Sequence, residues 1–313
     1  MNGPGTNSSA LQTKIGVKFV VNGVLHEEAY EGSCRYGDLQ NLTYEAEQQH
    51  LEDALVRYEQ AIDAHTFPPP VIVLDPVTSH LYVEKGNPDI MLTADQLRQL
   101  IEDDPKTDVY VILGGGLPQT TALAIAERYR KPVVVLNASG WAVDAPAGIR
   151  ARGLEGYYVQ NRQQLDQILR VLAARKMIRR TRILGVTNFP DRAPRGVISA
   201  VTDFNKLRAA YGLGYQNMNY RTFFGMMDEL VEDSTVQDEA EAITDKLIAA
   251  ASRNAMTRED VLNSVLFYVT AKNVMAAYDC NAFMIECFEL CSSMLPWERR
   301  FTPCLTHALL KDG

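Results

Sequence analysis

Two carboxylates three residues apart, Glu286 and Glu289, follow the short apolar run Ala282–Ile285. Carboxylates just past the end of a strand can ligate a hard divalent cation, or move a proton between adjacent carbons of a sugar. The plainer alternative is a pair of solvated side chains on a strand-to-helix loop. Further on, the stretch PWERRFTPCLTHALLKD gathers Glu298, Arg299, Arg300 and His307. Histidine is a common metal ligand and proton carrier, although a lone histidine in a helix more often has a structural role. Earlier in the chain, VILGGGLPQT reads as strand, glycine-rich turn and helix. Gly115 and Gly116 there can bring backbone N–H groups close to a substrate or phosphate at a helix N-terminus, or simply make a tight turn. The spacing is neither GxGxxG nor a Walker loop, since Leu-Pro-Gln follows and no Gly-Lys-Ser/Thr occurs. Trp141, in NASGW, lies on the loop after the next strand. Its ring can cover the apolar face of a sugar or pack between subunits. No HExxH and no GxSxG occurs, which removes zinc proteases and α/β-hydrolases.

These residues must be positioned by an alternation of strands and helices. Residues 14–21 (KIGVKFVV) read as a buried strand closed by Asn22-Gly23. Residues 43–64 carry Leu51, Ala54, Leu55, Tyr58 and Ile62 at helical spacing, and three prolines at 68–70 follow. Strands are expected at 71–74, 108–113, 132–136 and 156–159. Helices are expected at 93–101, with a Thr93/Gln96 capping box, and at 120–129 and 163–174. Strand and helix in turn imply a mostly parallel sheet covered on both faces, a doubly wound α/β domain over residues 13–178. Residues 1–12 are expected to form a polar, disordered tail. A second α/β domain over 179–313 is expected from strands at 181–187 and 282–285 and helices at 203–211, 239–251, 258 onward and 303–311. Thr257 and Asp260 cap the third of these helices.

Composition narrows the function. The chain has 313 residues, 46% hydrophobic and 22% charged, enough for two domains with large cores. A net charge of −8 argues against nucleic acid as a partner. The only basic cluster, around Arg175, Lys176, Arg179 and Arg180, reads as a solvated helix end. No apolar run is long enough to cross a membrane, and the N-terminus lacks the apolar stretch of a secretory signal, so the expected location is the cytoplasm. The five cysteines form no CxxC pair, as expected for free thiols in a reducing compartment. A zinc site from Cys287, Cys291 and Cys304 has the wrong spacing for the usual ribbons.

The run DCNAFMIECFEL…RRFTPCLTHALLKDG resembles the L-fucose isomerase-like family of sugar isomerases, which includes the L-arabinose isomerase type. KIGVKFVVNG resembles the first strand of those enzymes, and FNKLRAAYGLGYQNMNYRTFFGMMDEL their helix, short strand and following segment. The likeness spans most of residues 13–313. It implies two Rossmann-like domains followed by a C-terminal domain, an aldose–ketose isomerase working through an ene-diol, a divalent metal that is usually manganese, and a homo-oligomer in the full-length protein. It implies that acidic residues and a histidine hold the metal. Glu298, as metal ligand and catalytic group, and His307 are then the nearest candidates, with Glu286 and Glu289 as second choices and Trp141, Gly115 and Gly116 as substrate contacts.

The likeness also implies that an acidic motif and the distal histidine fall beyond Gly313. The expectation is therefore a truncated chain without its C-terminal domain, which binds the metal incompletely and has little isomerase activity alone. The competing readings are a non-catalytic sugar-binding α/β module, because two α/β lobes with a cleft also describe sugar receptors, and a nucleotide-binding oxidoreductase resting on VILGGG alone.

Overall fold

Ile15–His26 (β1) is the central strand of the first sheet, and its alternation decides which helices lie on which face. Ile15, Val17, Phe19 and Val21 point to one side, and Val20 to the other. The computed structural model describes residues 13–27, 43–68, 70–86, 91–92, 103–114, 118–137, 140–188 and 204–312. The chain divides into two compact units, Lys14–Ala174 and Arg175–Gly313.

In the first unit β1 is flanked by β2 (Val71–Val83) and β4 (Val109–Gly114). β5 (Val133–Leu136) and β6 (Gly156–Val159) continue the sheet beyond β4. The two-residue β3 (Met91–Leu92) pairs antiparallel with β2 at the other edge. The order is β3-β2-β1-β4-β5-β6, with the other five strands parallel. Helices α1 (Tyr44–Asp63) and α4 (Arg162–Arg180) bury Leu51, Ile62, Leu165, Leu169 and Leu172 against the Val17–Phe19 face. Helices α2 (Pro118–Tyr129) and α3 (Asp144–Ala151) bury Ala122, Ile125, Ala145 and Ile149 against the other face. The sheet is therefore doubly wound. Its strand order reverses at β1, so the carboxyl ends of β1 and β4 form its switch point. Asn22 and Thr121 are both buried there and joined by a 2.5 Å hydrogen bond.

β1 does not stop at Asn22-Gly23 as its sequence predicts, but runs four residues past Asn22 alongside β2. Gly23 serves close packing rather than a turn, since a Cβ there would meet the Leu51 side chain of α1. β2 likewise runs nine residues past Leu74, through a register shift opposite Lys18 and Val20. Pro76 sits in that shift, where a strand tolerates a residue without an N–H. The Asp75 carbonyl is turned to the buried Lys18 ammonium, which also donates to Asp103 Oδ2 at 2.6 Å. Lys18 holds the Asp103 carboxyl below the usual carboxylate range through that hydrogen bond. The helix expected at 93–101 lies outside the described residues.

The second unit is built on β7 (Arg182–Val186), β8 (Gly214–Met218) and β9 (Ala282–Ile285), all parallel in the order β8-β7-β9. α5 (Phe204–Tyr211) stacks Phe204 on Tyr215 of β8, with ring centroids 4.3 Å apart. Gly185 makes room for the Tyr215 ring, which a Cβ would strike. Between β8 and β9 come α6 (Tyr220–Leu230), α7 (Ser234–Ala250) and α8 (Arg258–Ala277), and after β9 the short α9 (Cys287–Ser292), α10 (Leu295–Glu298) and α11 (Pro303–Asp312). Phe223, Phe224, Phe267, Phe283 and Phe301 interlock at the centre of this core. The capping box expected at Thr257 and Asp260 starts α8. Both units are α/β with parallel sheets, the Rossmann-like class that the strand–helix alternation predicts.

Candidate functional site

The order β8-β7-β9 also reverses at β7, so the second sheet has a switch point where β7 and β9 end side by side. The residue delivered there is Glu286. Its backbone N–H donates to the Val186 carbonyl at 3.1 Å, which carries the β9 pairing one residue past the strand. Its own carbonyl accepts from Leu290 N at 3.1 Å and from the Tyr220 hydroxyl at 2.5 Å. The Glu286 peptide is thus fixed by β7, by α9 and by α6. Tyr220 reaches it because Asn219, directly after β8, caps α6 by accepting from Thr222 N at 2.8 Å and so starts the helix at the carboxyl edge.

Glu286 is 1% exposed, and its Oε2 is buried with no hydrogen-bond partner. Glu289, on the first turn of α9, has a buried Oε2 that also lacks a partner. Burial raises the Glu286 carboxyl above its ordinary value, and the charge of Glu289 adds to the rise. The amides of Phe288 and Glu289 at the start of α9 oppose it. The Tyr220 hydroxyl is pushed upward by burial, and then by the charges of Glu289 and Glu286. A buried carboxylate oxygen without a donor is costly to keep. Two of them, at the place where open α/β sheets bind ligands, make this the candidate site. The arrangement suits a ligand that brings hydroxyl donors to both oxygens, and it can hold a proton on one carboxyl beside a second carboxylate.

The other residues singled out from sequence lie elsewhere. Glu298 ends α10 on the surface, and among the described residues no ion-pair partner meets it. His307 lies on α11 with its ring centroid 5.7 Å from that of Phe283, and desolvation lowers its pKa. Trp141 falls in a single turn of 3-10 helix, Gly140–Val143. Gly115 and Gly116 lie outside the described residues. Among the described residues no group of three or more His, Cys, Asp or Glu side chains stands in a position to hold a metal ion, Glu298 with His307 and the trio Cys287, Cys291 and Cys304 included. Cys280, Cys287, Cys291 and Cys304 are all free thiols. Sequence reasoning put Glu286 and Glu289 just past the end of a strand, as second choices to Glu298 and His307, and missed Tyr220. The signal was the Asn219–Tyr220 pair just after a strand, a capping residue that brings an aromatic hydroxyl to the sheet edge.

No protein-family model matches the sequence, and comparison with curated proteins returns no match. Among the described residues no helix is long and apolar enough to cross a membrane.

Proposed function

We propose that this chain binds a sugar at the carboxyl edge of its three-stranded sheet and serves aldose–ketose isomerisation there, with Glu286 and Glu289 as the proton carriers. The supporting observation is the pair of buried carboxylate oxygens without partners at the β7/β9 switch point. Vicinal hydroxyls of a sugar supply the donors that both oxygens lack. The sequence resemblance points to the same chemistry.

The two carboxyls suit different halves of an ene-diol reaction. Glu289 takes the proton from C2 of the aldose and returns it to C1. Glu286, whose carboxyl burial holds above the usual value, gives a proton to O1 and recovers one from O2. Tyr220 keeps the Glu286 peptide in place and touches no reacting atom in this scheme. A divalent cation of the kind the resemblance implies takes about six oxygen or nitrogen ligands. Two carboxylates are hard donors of the right type, yet they do not complete such a set among the described residues. No step is therefore routed through a metal.

The test is ligand-detected NMR with fucitol and a pentitol, repeated with Glu286→Gln and Glu289→Gln. We expect saturable binding that weakens at least tenfold in either variant while the fold is kept. Equal binding in wild type and both variants, or none in any, would overturn the site. Incubation with L-fucose or L-arabinose in D2O then separates catalysis from binding alone. Deuterium entering at C1 or C2 supports isomerisation, and bound sugar that stays protiated leaves a sugar-binding module.

A further inference from the structure

We propose that the groove beside α10 is a binding site for an organic cation, an amine or quaternary ammonium group attached to an apolar body. It involves none of the carboxyl-edge residues and stands whether or not the isomerase reading does.

The groove has a volume of about 780 Å³, within the range of small-molecule sites. One wall is the segment before and within the first turns of α8, with Met256, Asp260 and Ser264. The other is α10 and the link to α11, with Trp297, Glu298 and Phe301. A second cavity of about 270 Å³ shares Met256, Asp260 and Ser264 and extends the apolar floor toward the end of α7. Arg300 closes one end. Its guanidinium donates to Asp260 Oδ1 at 2.8 Å, to Thr257 Oγ1 at 3.2 Å and to Glu259. Arg300 and Met294, on either side of α10, both have a positive φ (54° and 62°), which turns the chain sharply into and out of this short helix while Leu295 packs against the core.

The chemistry of the occupant follows from what the walls leave unused. Ser264 Oγ donates to the Asp260 carbonyl and accepts from Thr302 N, Asp260 is held by Thr257 and Arg300, and Arg300 is spent on three partners. A sugar in this groove would find few free donors or acceptors. Two groups remain unengaged: the Trp297 indole, 79% exposed, and the Glu298 carboxylate, which has no ion-pair partner among the described residues. An exposed π-face and an unpaired carboxylate lining the same groove are what a cation needs. Among the lining residues the acids Asp260 and Glu298 outnumber Arg300, so the local charge favours that cation. Met256, 60% exposed on the opposite wall, gives the apolar body of the ligand a surface to lie on.

The experiment titrates the full chain with benzyltrimethylammonium and with its neutral isostere neopentylbenzene, following the indole N–H signals by NMR. Trp297→Phe assigns the relevant signal, and Glu298→Gln removes the charge with little change in shape. The expected result is a saturable shift of the Trp297 signal by the cation, at least threefold tighter than any effect of the isostere. Glu298→Gln should weaken it three- to tenfold, and Trp297→Leu, followed on the Met256 methyl signal, at least as much. Equal binding of the neutral compound, no saturable shift, or indifference to both substitutions would each overturn the proposal. An unchanged methyl spectrum in the variants shows that the fold is retained.

Discussion

Glu286 keeps an ionisable group where neither water nor a donor reaches one of its oxygens, and this fixes the sign of a pH effect. Its pKa in the folded chain lies above the ordinary 4.5, so folding favours the protonated form. The stability that the protonated carboxyl contributes is fully present below pH 4.5 and is lost as pH rises through the folded-state value. A neutral isostere escapes that loss. Glu286→Gln should raise the unfolding midpoint by a few degrees at pH 7, roughly the effect of 1 kcal/mol in a domain of this size, and leave it unchanged at pH 4. Thermal melts at the two pH values check this, and an equal shift at both would contradict it. A residue that costs stability at neutral pH, and that the proposed sugar binding would require, has the usual signature of a functional group. Its place at the strand end was legible in sequence, because a four-residue apolar run fixes where β9 stops. Its burial was not, because that depends on Tyr220 and Val186 arriving from other strands and helices.

At the level of elements, local signals were read well where one residue type decides the outcome. Thr257 caps α8 as its position predicts, and β6 and β9 begin and end at the predicted residues. The reading failed where packing overrides local preference. Asn22-Gly23 looks like a turn and is strand, because β2 pairs alongside it and Leu51 lies over the glycine. α3 and α6 were not foreseen: Pro146 and Gly148 disguise the first, and aromatic residues the second. Gly16 shows how tightly such contacts are set. Its N–H donates to Asp108 Oδ2 at 2.7 Å, and a Cβ there would collide with the Lys106 carbonyl, a backbone atom that cannot swing aside. Gly16→Ala should therefore destabilise the first unit by about 1–3 kcal/mol in denaturant melts, and a neutral result would mean that the 104–106 turn is soft.

Taken as a whole, the molecule repeats one plan: a parallel sheet whose order reverses beside its first strand, with polar side chains held at the carboxyl edge of the reversal. The alternation of strand and helix made that plan legible. The choice between candidate carboxylates was not, since Glu286, Glu289 and Glu298 look alike in sequence, and only the tertiary fold buries Glu286, covers one oxygen of the half-buried Glu289 and exposes Glu298. Lys18 carries the same lesson into how the chain reaches this state. In the finished sheet it is a buried cation held by Asp75 and Asp103. On the ribosome or during refolding, before those partners arrive, it is the sole charge within the run IGVKFVV, a segment otherwise suited to stacking with its own copies. Replacing it with isoleucine should turn that run into a sticky patch, so that dilution from denaturant yields light-scattering particles at concentrations where the parent chain stays clear. The lysine then works as a gatekeeper before it works as an anchor.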